Sequence, residues 1–252
     1  MTRKRTKIKR TILLSDLQIP YHDAKATKNV IAFIRKSKPD RVVSCGDEID
    51  LPQLSRWERG LAGEFAGTLD RDRRIAQELL YDLKVDAIVR SNHTDRLYNS
   101  IKTRLPALAA LPELQYENWM GLKDLGIKYH KDAMPIAKNW ILLHGDEGQV
   151  TQKGGQTALG LSERTGLNVA CGHTHRAGIT HKTQSVGGKV TRTLWGFELG
   201  CLMDLKQAGY TRGIANWTQS FGILYEAKGK VTPVLVPIES DGSFIVEGKI
   251  YG

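Results

Sequence analysis

Apolar positions along the chain fall into two kinds of run. Residues 11–14, 41–45 and 86–89 are short, nearly continuous apolar stretches, and each stops at a polar loop. Runs of that kind read as strands buried on both faces. Residues 24–36 instead place Val30, Ile31, Phe33 and Ile34 at helical spacing. Residues 54–83 read as a mainly helical stretch closing on Ile75, Leu79, Leu80 and Leu83. Strand and helix in alternation predict an α/β core. Further along, residues 127–130, 140–144 and 168–171 read as strands, with a Gly-rich helical connection between the last two. Beyond residue 180 the pattern turns β-rich, with strands expected at 190–199, 222–227, 231–236 and 243–250. Gly187-Gly188 and Asp241-Gly242 mark turns among them. Neither an internal repeat nor a low-complexity linker is visible, so residues 11–252 are expected to form one domain with two β layers.

Composition narrows the class. The 252 residues are 40% apolar and 25% charged, which fits a globular chain and not a disordered one. No apolar run approaches the roughly 20 residues that span a bilayer. The basic N-terminus is followed by no apolar signal core, and three cysteines are too few for a disulfide scaffold. A cytoplasmic protein is the expectation. The net charge is +10, but residues 1–10 alone hold six basic residues and no acidic one, leaving +4 for the rest. That segment is expected to be a flexible basic tail. It suits nucleic acid by counterion release, and equally a solvated end.

The polar residues that interrupt these strands are the informative ones. Five strand ends carry Ser15-Asp16-Leu17-Gln18, Gly46-Asp47-Glu48-Ile49-Asp50, Ser91-Asn92-His93, His144-Gly145-Asp146 and Gly172-His173-Thr174-His175. Ligands of α/β sheets gather at the carboxyl ends of strands, so loops far apart in sequence can converge there. A mixed set of Asp, Asn and His suits Mn²⁺, Fe or Zn²⁺ better than Ca²⁺, and it lacks the thiolates of a structural zinc site. Five of the seven histidines (His22, His93, His144, His173 and His175) lie in or beside these loops.

In order, the series D-x-Q, G-D-x-x-D, N-H, H-G and G-H-x-H resembles the calcineurin-like metallophosphoesterase superfamily over residues 12 to about 180. The D-x-Q-x-P-Y-H opening is similar to short bacteriophage-type members. The resemblance implies a four-layer α/β/β/α sandwich of two mixed sheets flanked by helices, with a metal site at the C-terminal ends of strands. Asp16, Gln18, Asp47 and His175 would hold one divalent ion; Asp47, Asn92, His144 and His173 would hold a second, with Asp47 between them. Mn²⁺ is expected first, with Fe, Zn²⁺, Ni²⁺ or Mg²⁺ as other occupants. Asn92 and His93 would be catalytic and would touch the phosphate, with Arg96 as a further phosphate contact or a salt-bridge partner of Asp95. The implied activity is hydrolysis of phosphodiester bonds, foremost in nucleic acid, by metal-bridged hydroxide attack.

Departures from the pattern keep alternatives open. Gln18 stands where the family usually has His, so the first site should hold metal more weakly, and His22 is an alternative ligand. Asp50 is expected to orient a histidine rather than to ligate. Ser91 replaces the usual Gly before Asn-His. A small-molecule phosphoesterase acting on cyclic nucleotides or phosphomonoesters would use the same centre, as would a protein phosphatase. A non-catalytic binding module on the same fold is the remaining reading. Residues 51–80 would cap the cleft, or else Trp57 and Phe65 pack a helix against the sheet. Cys45 and Cys171 read as buried thiols, and His130 and His181 as structural. Nothing in the chain bears on its oligomeric state or points to a membrane.

Overall fold

The computed structural model describes residues 7–65, 67–208, 211 and 213–252. Most of the N-terminal basic segment, residues 1–6, thus lies outside the described residues. The first half runs β1 (Lys9–Leu14), α1 (Ala24–Ser37), β2 (Arg41–Ser44), α2 (Leu69–Asp82), β3 (Ala87–Val89), α3 (Thr94–Arg104), α4 (Tyr116–Trp119) and β4 (Lys128–His130). The second half runs β5 (Met134–Ala137), β6 (Trp140–Leu142), α5 (Gln156–Thr165), β7 (Asn168–Cys171), β8 (Ala177–Val186), β9 (Lys189–Leu199), β10 (Ser220–Ala227), β11 (Lys230–Pro237), β12 (Phe244–Val246) and β13 (Lys249–Tyr251).

Two mixed sheets result, flanked by helices. The first has the order β11-β10-β1-β2-β3-β4, parallel from β1 to β4 and antiparallel at β10 and β11. The second has the order β5-β6-β7-β9-β8, with β6, β7 and β9 parallel. Successive side chains of a strand point to opposite faces, and the continuous apolar runs use both. Ile12 and Leu14 pack among the helices with Val30, Phe33 and Leu80, while Leu13 between them packs toward the second sheet with Leu142 and Phe197. Val42 and Val43 divide in the same way. On the far side, Ile141, Val169 and Cys171 meet Ala158 and Leu161 of α5. The layers are helix, sheet, sheet, helix. Among the described residues no helix is long and apolar enough to cross a membrane.

Local chemistry explains the helix limits. Asp23 caps α1 by accepting from the Lys25 and Ala26 amides at 3.0 and 2.9 Å, and Lys38 ends it in the left-handed region. The long helix expected over 54–83 forms only in its second half. Gly60 and Gly67 take positive φ, and a single 3₁₀ turn, Ala62–Phe65, lies between them. Thr68 then caps α2 through the Arg71 amide. Trp57 and Phe65 are 72% and 76% exposed, so neither packs a helix on the sheet; α2 does that with Ala76 and Leu80. The strand expected over 243–250 is two strands, folded back at Glu247-Gly248, where both φ values are positive. The β8–β9 hairpin turns at Gly187-Gly188 with φ of 56° and 76°.

Phe33 sits at the centre of an aromatic group with ring centroids 5.6 Å from Phe221, 6.1 Å from Phe244 and 5.3 Å from Tyr251. This group ties the C-terminal hairpin to α1. Phe33→Ala should destabilise the fold by about 3–5 kcal/mol, read as a lowered denaturant midpoint with an unchanged slope.

Candidate metal centre

The loops that leave β1, β2, β3, β6 and β7 meet at one end of the sandwich. Their backbones brace each other: the Gln18 amide donates to Asp47 O at 2.9 Å, and the Gly172 amide to His144 O at 2.8 Å. Two glycines are dictated by this closeness. A Cβ on Gly46 would lie 2.6 Å from Ser91 Cβ, and one on Gly172 would lie 1.7 Å from Ser15 Oγ. Ser91 itself is fully buried and accepts from the Asp47 amide at 3.1 Å. The serine in place of glycine thus fixes the neighbouring loop.

Strain concentrates here. Asp16, Gln18, Asp47, His173 and His175 all have left-handed backbones, with φ between 49° and 65°. Non-glycine residues occupy that region at a cost and mainly where surrounding structure enforces it. Five such residues at one focus mark a site whose side-chain directions outweigh backbone ease.

Asp47, 1% exposed, lies at the middle. Its Oδ2 accepts from Gln18 Nε2 at 3.1 Å and lies 3.3 Å from His144 Nε2; its Oδ1 accepts from the His93 amide at 3.2 Å. One side of Asp47 gathers His144, His173 and Asn92. The ligand atoms of Asp47, His144 and His173 all fall within 4.8 Å of one another, and Asn92 Oδ1 is 2.8 Å from His144 Nε2. The His144 Nδ1 proton is engaged by Cys45 O at 2.8 Å, which leaves Nε2 turned to the cluster. The other side holds Asp16, Gln18 and His175. Asp16 Oδ1 is 3.1 Å from His175 Nε2, and Asp16 Oδ2 accepts from the His173 amide at 3.0 Å.

The donor set fits cations. On the first side a carboxylate, an amide oxygen and two imidazoles converge, a mixed oxygen and nitrogen donor set once His144 gives up its Nε2 proton. On the second side the buried Gln18 Oε1 receives no hydrogen bond. As placed, Gln18 turns its amide nitrogen to Asp47 and to His175 Nε2, 3.4 Å away, rather than offering its carbonyl. Rotation about the terminal torsion would exchange the two ends. His22 does not join the cluster: its backbone pairs with Met203 and its Nδ1 is buried without a partner.

Asp50 and Arg96 act on His93. Asp50 Oδ1 is 2.8 Å from His93 Nδ1, Arg96 Nη1 donates to Asp50 Oδ1 at 3.1 Å, and Arg96 Nη2 lies 2.8 Å from His93 Nε2. The Asp95 pairing expected for Arg96 is absent among the described residues, because Arg90 takes Asp95 at 2.6 Å and Asp146 at 2.8 Å. Arg90 thereby clamps the β3 loop to the β6 loop. Its position directly before Ser91-Asn92-His93 was the only sequence signal for it. The Glu48–Tyr116 pair carried none: the Tyr116 hydroxyl donates to Glu48 Oε1 beneath the site. Above the centre opens a cleft of ≈ 670 Å³ walled by Tyr21, Trp57, Leu61, Met203 and Trp217. Trp57 and Leu61 come from the 51–68 segment, while the His175 and Trp217 rings meet at 4.3 Å.

No family model matches the chain. The chain is 37% identical over 254 residues to the Gene 54 protein of Mycobacterium phage D29, and equally to that of Mycobacterium phage L5, covering 96% of this chain and 98% of each relative. It belongs to the family of the mycobacteriophage Gene 54 proteins. Among solved structures, Vps29 of Cryptosporidium parvum is similar at 15% identity and a TM-score of 0.49, covering 96% of this chain and 94% of that one. The phosphoesterase YfcE of E. coli is similar at 14% identity and a TM-score of 0.39, covering 89% and 98%.

Charge in the centre is tightly coupled. Burial would raise the Asp47 carboxyl, but the His144 and His93 imidazoles hold it well below the usual range. Burial would lower His144, yet Asp47 raises it to about 10. His173 is lowered by burial and by the neighbouring His144. Burial pushes Glu48 up to about 7, against the Tyr116 hydroxyl. A histidine raised in the folded state stabilises fully below its ordinary value of 6.5 and loses that contribution as pH rises through 10. The chelator-treated protein should therefore melt at progressively lower temperature from pH 6.5 to 10. A rising profile over that window would contradict the His144–Asp47 pairing.

Proposed function

We propose that this Gene 54 homologue is a dinuclear metal-dependent phosphodiesterase of the calcineurin-like metallophosphoesterase superfamily, hydrolysing phosphodiester bonds in nucleic acid. The observation that carries this reading is the gathering of Asp16, Asp47, Asn92, His144, His173 and His175 around one focus, with Gln18 at its edge. Asp47, His144, His173 and Asn92 would hold one divalent ion, and Asp16, Gln18, His175 and Asp47 the other, Mn²⁺ being the first choice. Bound there, such ions supply charge neutralisation for an anionic ester and activate a water near neutral pH.

The chain's own residues do the rest. Asn92 stands at the head of α3, with its carbonyl held to His144. His93 lines the cleft beside it, oriented by Asp50. In the arrangement described, His93 Nε2 accepts from Arg96 and so carries no proton to give. For His93 to protonate a leaving oxygen, Arg96 must turn from the ring to the phosphate, where its planar fork offers two donors. Phosphate binding would then switch Arg96 from quenching His93 to clamping the substrate. The excess of basic residues in 1–10 supports a polyanionic substrate.

Hydrolysis of bis-p-nitrophenyl phosphate beside p-nitrophenyl phosphate, with Mn²⁺ and then with chelator, tests the reading. Preferential, chelator-sensitive cleavage of the diester is expected; preference for the monoester would move the assignment to a phosphatase. His93→Ala should lower diester turnover by about 10²–10⁴-fold without lowering the melting temperature. Asp50→Asn should cost roughly 10–100-fold through the orientation of the same ring. Full activity in His93→Ala would remove His93 from the mechanism.

A further inference from the structure

Beside the central cleft lies a second groove of ≈ 440 Å³. One wall is a single face of α3, which starts at the metal centre with Asn92 and His93 and carries Arg96 and Arg104 at helical spacing. The other wall is the segment after β2, with Arg56, Trp57 and Arg59. Four arginines and no carboxylate line the groove, whereas Asp47, Asp50 and Glu58 line the cleft above the centre. Arg56 has no carboxylate partner among the described residues; its guanidinium lies 4.6 Å from the centre of the Trp57 ring. Arg104 meets Glu64 at 3.3 Å on the outer rim. Trp57 and Arg96 line both spaces, so groove and cleft adjoin.

Groove shape and chemistry identify the ligand class. From Arg96 to Arg104 the helix advances about 12 Å, long enough to meet more than one phosphate of a strand laid along it. Four guanidinium groups, two of them also paired with acids outside the groove lining (Arg96 with Asp50, Arg104 with Glu64), attract a run of phosphates. An indole 72% exposed at the junction of the two spaces offers a stacking face. Bases inside a duplex are already stacked, so such a face serves an unpaired strand. We propose that this groove binds a single nucleic-acid strand, holding the nucleotides on one side of the phosphate that enters the metal centre. The inference rests on the phosphodiesterase reading for the phosphate's destination, and on the groove alone for binding.

Fluorescence anisotropy with a labelled single-stranded oligodeoxynucleotide of about 12 residues, in chelator and over a salt series, tests it on the full chain. Arg56→Ala/Arg59→Ala/Arg104→Ala should bind at least about tenfold more weakly at low salt, with the log–log salt slope reduced by about 2. Trp57→Ala should weaken single-strand binding roughly fivefold or more and leave binding of the annealed duplex unaltered. With Mn²⁺, the ratio of oligonucleotide cleavage to bis-p-nitrophenyl phosphate cleavage should fall in the triple variant. Unchanged affinity and slope in a triple variant that melts like the native chain would overturn the proposal. So would a duplex bound as tightly as the single strand with the same dependence on Trp57. Failure of the native protein to cleave the small diester would count against the phosphodiesterase reading alone, since the binding arm is read without metal.

Discussion

A fully desolvated carboxylate is the constraint around which this structure is arranged. Asp47 sits between the two sheets' strand ends, where an unpaired charge would cost several kcal/mol. Everything that touches it compensates: the Gln18 amide, the His93 backbone, the His144 ring and, through its own amide, Ser91. Those partners come from three different loops, after β1, β3 and β6. Pairing Asp47 therefore fixes these loops relative to one another, and the left-handed backbones of Asp16, Gln18, Asp47, His173 and His175 are concentrated at the same focus.

The layered core supplies the platform. Strands buried on both faces place their ends at one rim, and the close approach of Gly46 to Ser91 and of Gly172 to Ser15 brings the loops within ligand distance. Arg90 adds a cross-brace between the β3 and β6 loops through Asp95 and Asp146. Over this rim the chain builds two unlike spaces. The cleft above the centre is aromatic-walled and holds the acidic groups, while the neighbouring groove is arginine-lined. The division suits a reaction in which one phosphate is turned over and its neighbours are only held.

How much of this was legible in the amino-acid sequence follows from what each feature depends on. Strands such as β1, β2 and β7 announce themselves because burial on both faces makes them continuously apolar, and the abrupt polar stops mark their functional ends. Helix α3 gives no such signal: only Thr94 and Leu97 of it are buried, and its remaining face is polar. Strand β8 likewise has no fully buried residue and exists through its pairing with β9. The expected helix over 54–83 failed where Gly60 and Gly67 outweighed the surrounding helix formers. Site residues that belong to motifs could be named in advance. Pairings could not: Arg96 chooses Asp50 over adjacent Asp95 because Arg90 already occupies the latter.

In the proposed reading these loops form one centre for two divalent ions sharing Asp47. The most direct measurement is Mn²⁺ titration calorimetry on the chelator-stripped full chain, with Asp47→Asn beside it. Two ions per native chain, the site with Gln18 filling second, and loss of both in Asp47→Asn are the expected result. Binding of a single ion, or retention of two by Asp47→Asn, would contradict it.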